Sequence, residues 1–200
     1  MGKTGAILMA ALAAPLMAWA SAAVAAPAFM ETAGRTTQPV GHYEFCLTAP
    51  AECQQKTARP RPVELTRPLW AAMVDINNTV NMTVEPATDM EMWGREELWS
   101  YPDLIGDCED YALEKRRRLM ALGVPAGSLL ITVVRQPNGD GHAVLTVNTS
   151  LGDFILDNLE PRILAWTEID YQFLKRQSEQ HSGVWVSVND GRSVAVGSVR

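Results

Sequence analysis

The chain has 200 residues, 47 % of them hydrophobic, with 17 Lys and Arg against 23 Asp and Glu for a formal charge of −6 at neutral pH. An acidic chain with no basic stripe laced with aromatics lacks the electrostatic footprint of a nucleic-acid binder. After a first apolar run the remaining length suffices for one domain with its own core, with no second long hydrophobic segment and no internal repeat.

Lys3 forms a short positive start, residues 5–20 are dominated by Ala, Leu and Met, and residues 21–26 are rich in the small side chains a signal peptidase needs. This predicts a secretory signal peptide over 1–26, cleaved between Ala20 and Ala26, because the run is short and ends in a cleavage-like segment. A retained membrane anchor is the alternative reading. The mature chain is therefore expected to be exported. Residues 27–65 follow as an extended arm, since 31–61 is polar, punctuated by proline and without sustained period, with at most a helical turn near its two cysteines. Three cysteines in an oxidising compartment suggest one bridge and one odd thiol. Cys46 and Cys53 bracket a loop short enough to close locally, which leaves Cys108 free. The alternative pairs Cys108 with one of them, or buries it as a small hydrophobe.

A domain over 66–200 begins with a helix at about 66–81, where Thr66 can cap, Pro68 is tolerated in the first turn, and Leu69, Trp70, Met73, Val74, Asn77 and Val80 share one side. Glu85-Pro86 opens a connection carrying Met90, Met92, Trp93 and Trp99, whose aromatics read as core or cleft lining. An oxyanion or substrate-binding role for Trp93 or Trp99 is the sharper alternative.

The next helix starts in Gly106-Asp107-Cys108-Glu109-Asp110-Tyr111-Ala112. Asp107 suits the N-cap, with Asp110 at the N3 position of a capping-box-like pair. Ala112, Leu113, Leu119, Met120 and Leu122 supply its apolar positions, Lys115–Arg118 is a basic stretch suited to the C-terminal dipole, and Gly123 with Pro125 ends it. A thiol at Cys108, in the first turn, lies where the positive end of a helix favours the thiolate.

Beyond it the period changes. Residues 129–135, rich in Ile, Thr and Val, read as a strand, 137–141 as a turn, 142–148 and 154–157 as a hairpin around Gly152, and 171–176 with 183–188 as a late pair. Helices first and antiparallel strands after is an α+β layout, one helix layer on one sheet. If the hairpin turn is centred between Thr149 and Ser150, His142 lies directly opposite Asp157 and Val144 faces Ile155, near enough for an imidazole–carboxylate hydrogen bond. A one-residue slip would separate them onto opposite faces. With the sheet packed on the Cys108 helix, Cys108, His142 and Asp157 form a thiol–imidazole–carboxylate set able to act as nucleophile, base and orienter. Singly, each has a blander reading: a satisfied strand histidine, or an aspartate capping a turn. His42 and His181 are weaker base candidates.

Gly-Asp-Cys-Glu-Asp-Tyr-Ala at 106–112, Leu-Gly-Val-Pro at 122–125, Gly-His-Ala-Val-Leu at 141–145 and Leu-Asp-Asn-Leu at 156–159 resemble the bacterial transglutaminase-like cysteine proteinases, which include the LapG-type periplasmic proteases. The resemblance covers roughly residues 66–188. It implies a papain-like, transglutaminase-type fold and a Cys–His–Asp triad at Cys108, His142 and Asp157. It also implies a protein substrate, possible release of a biofilm adhesin, and an inner-membrane regulatory partner.

Asp107, Glu109 and Asp110 crowd the thiol with negative charge, which opposes the helix dipole and raises a thiol's pKa. A calcium ion would offset them. The resemblance implies calcium at the positions flanking the cysteine, Asp107 and Glu109, while EF-hand spacing is absent. The alternative is that these carboxylates only cap the helix and pair with arginines. The expected activity is thus that of an exported cysteine peptidase. Acyl transfer to an amine by the same triad is a second enzymatic reading, and a non-catalytic periplasmic binding or regulatory module is the third.

Overall fold

The structure, a computed structural model, describes Met1, Gly2 and residues 28–191. The signal peptide expected over 1–26 therefore lies, beyond its first two residues, outside the described residues. Strand β1 (Thr32–Thr36) leads to helices α1 (Val40–Thr48), α2 (Pro50–Cys53) and α3 (Arg67–Thr83). Strand β2 (Glu85–Pro86), helix α4 (Asp89–Trp93) and strand β3 (Ile105–Gly106) connect α3 to α5 (Cys108–Ala121). Strands β4 (Leu129–Arg135), β5 (Gly141–Thr149), β6 (Gly152–Leu156), β7 (Leu164–Ala165), β8 (Gln172–Ser178) and β9 (His181–Val188) follow α5 among the described residues.

Seven strands form one antiparallel sheet in the order β1-β9-β8-β4-β5-β6-β7, and β2 and β3 pair in parallel outside it. Side chains alternate across this sheet with the strand's period of two. Ile131, Leu145, Val147 and Leu156 pack with Met73, Val80, Leu113 and Leu119 beneath the helices. On the other side Val134, Val144 and Ile155 pack with Trp166 and Phe173. The expected α+β arrangement, helices first and laid on an antiparallel sheet, is what forms.

Helix α3 starts where expected, with Leu69 N–H donating to Thr66 Oγ1 at 3.2 Å. It buries Met73, Ile76, Asn77 and Val80, while Trp70 stays at the surface. Helix α5 ends on Gly123, whose φ of 89° suits a residue without Cβ. Gly123 N–H donates to Met120 O at 2.9 Å and Val124 N–H to Leu119 O at 3.2 Å, the pair of bonds that closes a Schellman end.

Four expectations need correction. The segment expected as an extended arm holds β1, α1 and α2, and Phe45 and Cys53 sit in the core. Its anchor is Arg116, which donates to Glu52 and Gln55 and to Leu129 O, each at 3.2 Å. The basic stretch is the second: Lys115 and Arg116 are only 1 % and 2 % exposed, so half of it faces the interior and only Arg118 reaches the last turn of α5. Leu122, expected among the apolar positions, is exposed, as is Trp93. Finally, α4 forms where no element was expected, through a capping box in which Thr88 and Glu91 satisfy each other's backbone N–H.

Candidate active site

Cys108 is the first residue of α5 and is a free, partly buried thiol. The other two cysteines form the Cys46–Cys53 disulfide, so local closure is the pairing that occurs. The N-terminus of α5 is held from several sides. Ala87 N–H donates to Gly106 O at 3.1 Å, Ser100 N–H donates to Asp110 Oδ1 at 2.7 Å, and the Tyr111 hydroxyl donates to Val84 O. Asp107 occupies the N-cap position without a side-chain capping bond, and Asp110 is committed to Ser100 rather than to a capping box. Asp110 is thus drawn away from the cap by a tertiary neighbour.

The thiol donates to Glu109 Oε2 at 3.1 Å and accepts the Ala143 N–H at 3.3 Å. That backbone group belongs to the residue after His142, so β5 delivers the thiol's neighbour and the imidazole together. His142 Nε2 lies 2.8 Å from Asp157 Oδ1. Asp157 is fully buried, and its carboxylate also accepts Leu159 N–H at 3.0 Å and the Tyr171 hydroxyl at 2.8 Å. Burial pushes its pKa up, but the bond from and charge of His142, with the Leu159 and Tyr171 donors, outweigh burial and hold it below the ordinary value. An ionised Asp157 fixes the Nε2–H tautomer and leaves Nδ1 with the lone pair a base needs. Tyr171 also stands edge-on to the imidazole, with ring centroids 5.6 Å apart. The sequence reading missed Tyr171, which it assigned only to a late strand.

The register differs from the expected one. Asn148 pairs with Asp153 and Leu145 with Leu156, so the turn is centred one residue later and Asp157 falls just past β6, level with Val144 rather than His142. A two-residue offset preserves the face, and the bond is made along the diagonal.

Cys108 and His142 line two cavities. One, of about 540 Å³, is walled by Val40, Trp99, Val133 and Lys175. The other, of about 230 Å³, is walled by Pro86, Ala87, Gly106 and Leu159. Trp99 is thus both core and cleft lining. Neither His42 nor His181 borders these cavities. His42 is buried between Trp99 and Trp185, and burial, aided by Arg116, lowers its pKa to about 4, so it is a neutral core residue.

The carboxylates around the thiol are more numerous than flanking sequence suggests. Oxygens of Asp89, Asp107 and Glu109 come within 4.8 Å of one another. Burial raises Asp107 to about 6 and, with the Asp107 charge, Glu109 to about 9; Asp110 rises to about 7, also chiefly through burial. The Cys108 thiol is pushed up by burial, then by the Glu109 charge and hydrogen bond, against a smaller lowering by Ala143 N–H. Without a cation, then, the expected thiolate-favouring environment is reversed. Among the described residues, Oδ1 of both Asp89 and Asp107 is buried with no hydrogen-bond partner. Clustered, desolvated, unsatisfied carboxylate oxygens are the donor set a hard cation such as calcium takes. Asp89 had no signal in spacing, because α4 brings it in from a stretch read as irregular.

The sequence profile of the family described as bacterial transglutaminase-like cysteine proteinases matches residues 32–193. Among solved structures, LapG of Legionella pneumophila is 28 % identical with a TM-score of 0.52, over 60 % of this chain and 70 % of that one. Calcium-bound LapG of the same organism is 26 % identical with a TM-score of 0.53, over 67 % of this chain and 76 % of that one. EGTA-treated LapG is 28 % identical with a TM-score of 0.52, over 60 % and 68 % respectively. No curated protein matches the chain.

Proposed function

The chain belongs to the bacterial transglutaminase-like cysteine proteinases and is a cysteine peptidase, and on that footing we propose that it is an exported protease working through Cys108, His142 and Asp157. The observation that carries the reading is the His142–Asp157 pair at 2.8 Å, joined to the free thiol through the Ala143 N–H at 3.3 Å. Cys108 Sγ attacks the scissile carbonyl carbon and its proton passes to His142 Nδ1. His142 returns that proton to the departing amine as the C–N bond breaks, leaving a thioester. Water, deprotonated by the same nitrogen, then releases the acid and restores the thiol. Asp157 keeps Nε2 protonated throughout and stabilises the imidazolium. The Cys108 backbone N–H, at the first position of α5 where a helix N–H has no intrahelical acceptor, would donate to the developing oxyanion.

Asp89, Asp107 and Glu109 would hold a calcium ion, which one of the LapG structures also carries. Bound there, it supplies the positive charge that offsets their effect on the thiol. Glu109, whose oxygen otherwise takes the thiol proton's hydrogen bond, is then committed away from Sγ. The substrate is a protein; a cell-surface adhesin processed in the periplasm during biofilm turnover, under an inner-membrane regulator, is the specific form the family likeness supports. Among the described residues no helix is long and apolar enough to cross a membrane.

The test is the rate of iodoacetamide labelling of Cys108 against pH, with calcium and with chelator. A thiolate titrating below the free-cysteine range in calcium, and lost in His142→Ala, supports the triad. An ordinary thiol titration in both conditions overturns it.

A further inference from the structure

A groove of about 770 Å³ lies between β1, the 56–60 segment and the β8–β9 hairpin, and shares no lining residue with the cavities at Cys108. Among the described residues its lining carries Arg35, Lys56 and Arg176 against one carboxylate, that of Glu179. Arg35 and Lys56 are exposed, whereas Arg176 is 3 % exposed. Arg176 Nη2 donates to Glu179 Oε1 at 2.7 Å, but Nε and Nη1 are buried with no hydrogen-bond partner among the described residues. Asp153, whose charge also reaches this guanidinium, makes its hydrogen bonds elsewhere, accepting Met30 N–H at 2.8 Å and Asn148 Nδ2–H at 2.7 Å. His181 borders the same groove and accepts Gly183 N–H on Nδ1 at 3.1 Å, which leaves Nε2 as the proton-bearing donor.

A buried guanidinium with most of its donors unused is costly, and a fork of this kind is matched best by a tetrahedral oxyanion. We propose that this groove binds a phosphate group, with Arg176 at its floor, Lys56 and Arg35 at its rim, and the His181 Nε2–H as a further donor. Glu179 is the movable piece. Its side chain is a third exposed, at 33 %, and it holds the Arg176 edge that an incoming phosphate takes over. Three cationic side chains against one lining carboxylate favour a dianion over a single carboxylate. The proposal is independent of the protease reading, because no residue of the thiol site takes part.

Titration calorimetry of inorganic phosphate into the purified chain, at constant ionic strength against chloride, tests it. One saturable site is expected, weakened about tenfold by Lys56→Met or Arg35→Met and tightened about tenfold by Glu179→Gln, which removes the competitor. Arg176→Met should abolish it; because that variant can also fail to fold, the exposed Lys56→Met and Arg35→Met variants decide the outcome. Co-sedimentation with phosphatidylglycerol vesicles separates the two sources of phosphate. Pelleting that free phosphate reverses, and that Lys56→Met reduces, assigns a lipid headgroup; phosphate binding without pelleting assigns a soluble phosphate. No saturable heat, or an affinity unchanged across Lys56→Met, Arg35→Met and Glu179→Gln, overturns the site.

Discussion

His142 and Asp157 meet at 2.8 Å although the β5–β6 register sets Asp157 level with Val144, two residues along from His142. The carboxylate reaches back along the diagonal because it sits one residue beyond the end of β6, where Leu159 N–H and the Tyr171 hydroxyl fix both of its oxygens. The pair therefore depends on the turn after β6 and on Tyr171 as much as on the hairpin.

Asp157→Ala is expected to lower kcat/KM on the order of 10³-fold, through loss of the imidazole tautomer. Tyr171→Phe keeps the ring beside His142 and deletes one donor to Asp157. Because that donor helps hold the Asp157 pKa down, its loss raises that pKa, moving the acid limb of the kcat/KM profile to higher pH with about a tenfold loss of rate. An unshifted acid limb would contradict this role for Tyr171.

Calcium should raise the thermal midpoint, and the gain should disappear in Asp89→Asn. Glu109→Gln is expected to stabilise the chelated protein near neutral pH by about 1 kcal/mol, since Glu109, with its pKa raised to about 9 chiefly by burial, must take up a proton on folding and the amide need not. Melting curves in calcium and in EGTA read both effects. Equal gains in wild type and Asp89→Asn would remove that residue from the site.

Lys115 gives the fold a pH dependence of its own. Burial lowers its pKa to about 7 from an ordinary 10.5, opposed by the charge of Asp157. Between those two values the unfolded chain holds a proton the folded chain has lost, so this residue makes stability rise with pH from about 7 to 10.5. Below that window its full penalty applies. Lys115→Met should therefore stabilise the protein at pH 6 by on the order of 2 kcal/mol and flatten the rise, measured by urea unfolding across pH. A variant less stable at pH 6 would show that the Asp157 attraction and the contact 5.7 Å above the Tyr111 ring outweigh desolvation.

Gly41 on α1 has no room for a side chain. An added Cβ would meet Trp99 Cδ1 at 2.4 Å and Glu97 O at 2.7 Å. Gly41→Ala should cost about 1–3 kcal/mol and, by displacing the Trp99 wall of the larger cavity, raise KM more than it lowers kcat. Calorimetry and steady-state kinetics together check it, and an unchanged KM would detach Trp99 from substrate.

Local chemistry was legible in the residues. The Thr66 cap, the Gly123 end of α5, the β-branched run of β4 and the short loop between Cys46 and Cys53 each declare themselves within a few positions, because capping, backbone conformation and loop closure are short-range physics. The pairing of His142 with Asp157 was also within reach, since a strand's period of two keeps the face even when the register is off by two residues. What composition and spacing do not carry is where distant segments meet. Asp89 joins Asp107 and Glu109 only because β2 and β3 pair in parallel and bring α4 against the start of α5. Lys115 and Arg116 look like a solvated basic face until the sheet and the α2 segment close over them. The helix start that by itself favours a thiolate becomes a site that disfavours one, because burial and a gathered set of carboxylates outweigh the dipole. The sequence by itself determined helices α3 and α5, the strands β4, β5 and β6, and which thiol is left outside the short cysteine loop; the tertiary structure alone decided desolvation and long-range charge, which depend on what the rest of the chain packs around each group.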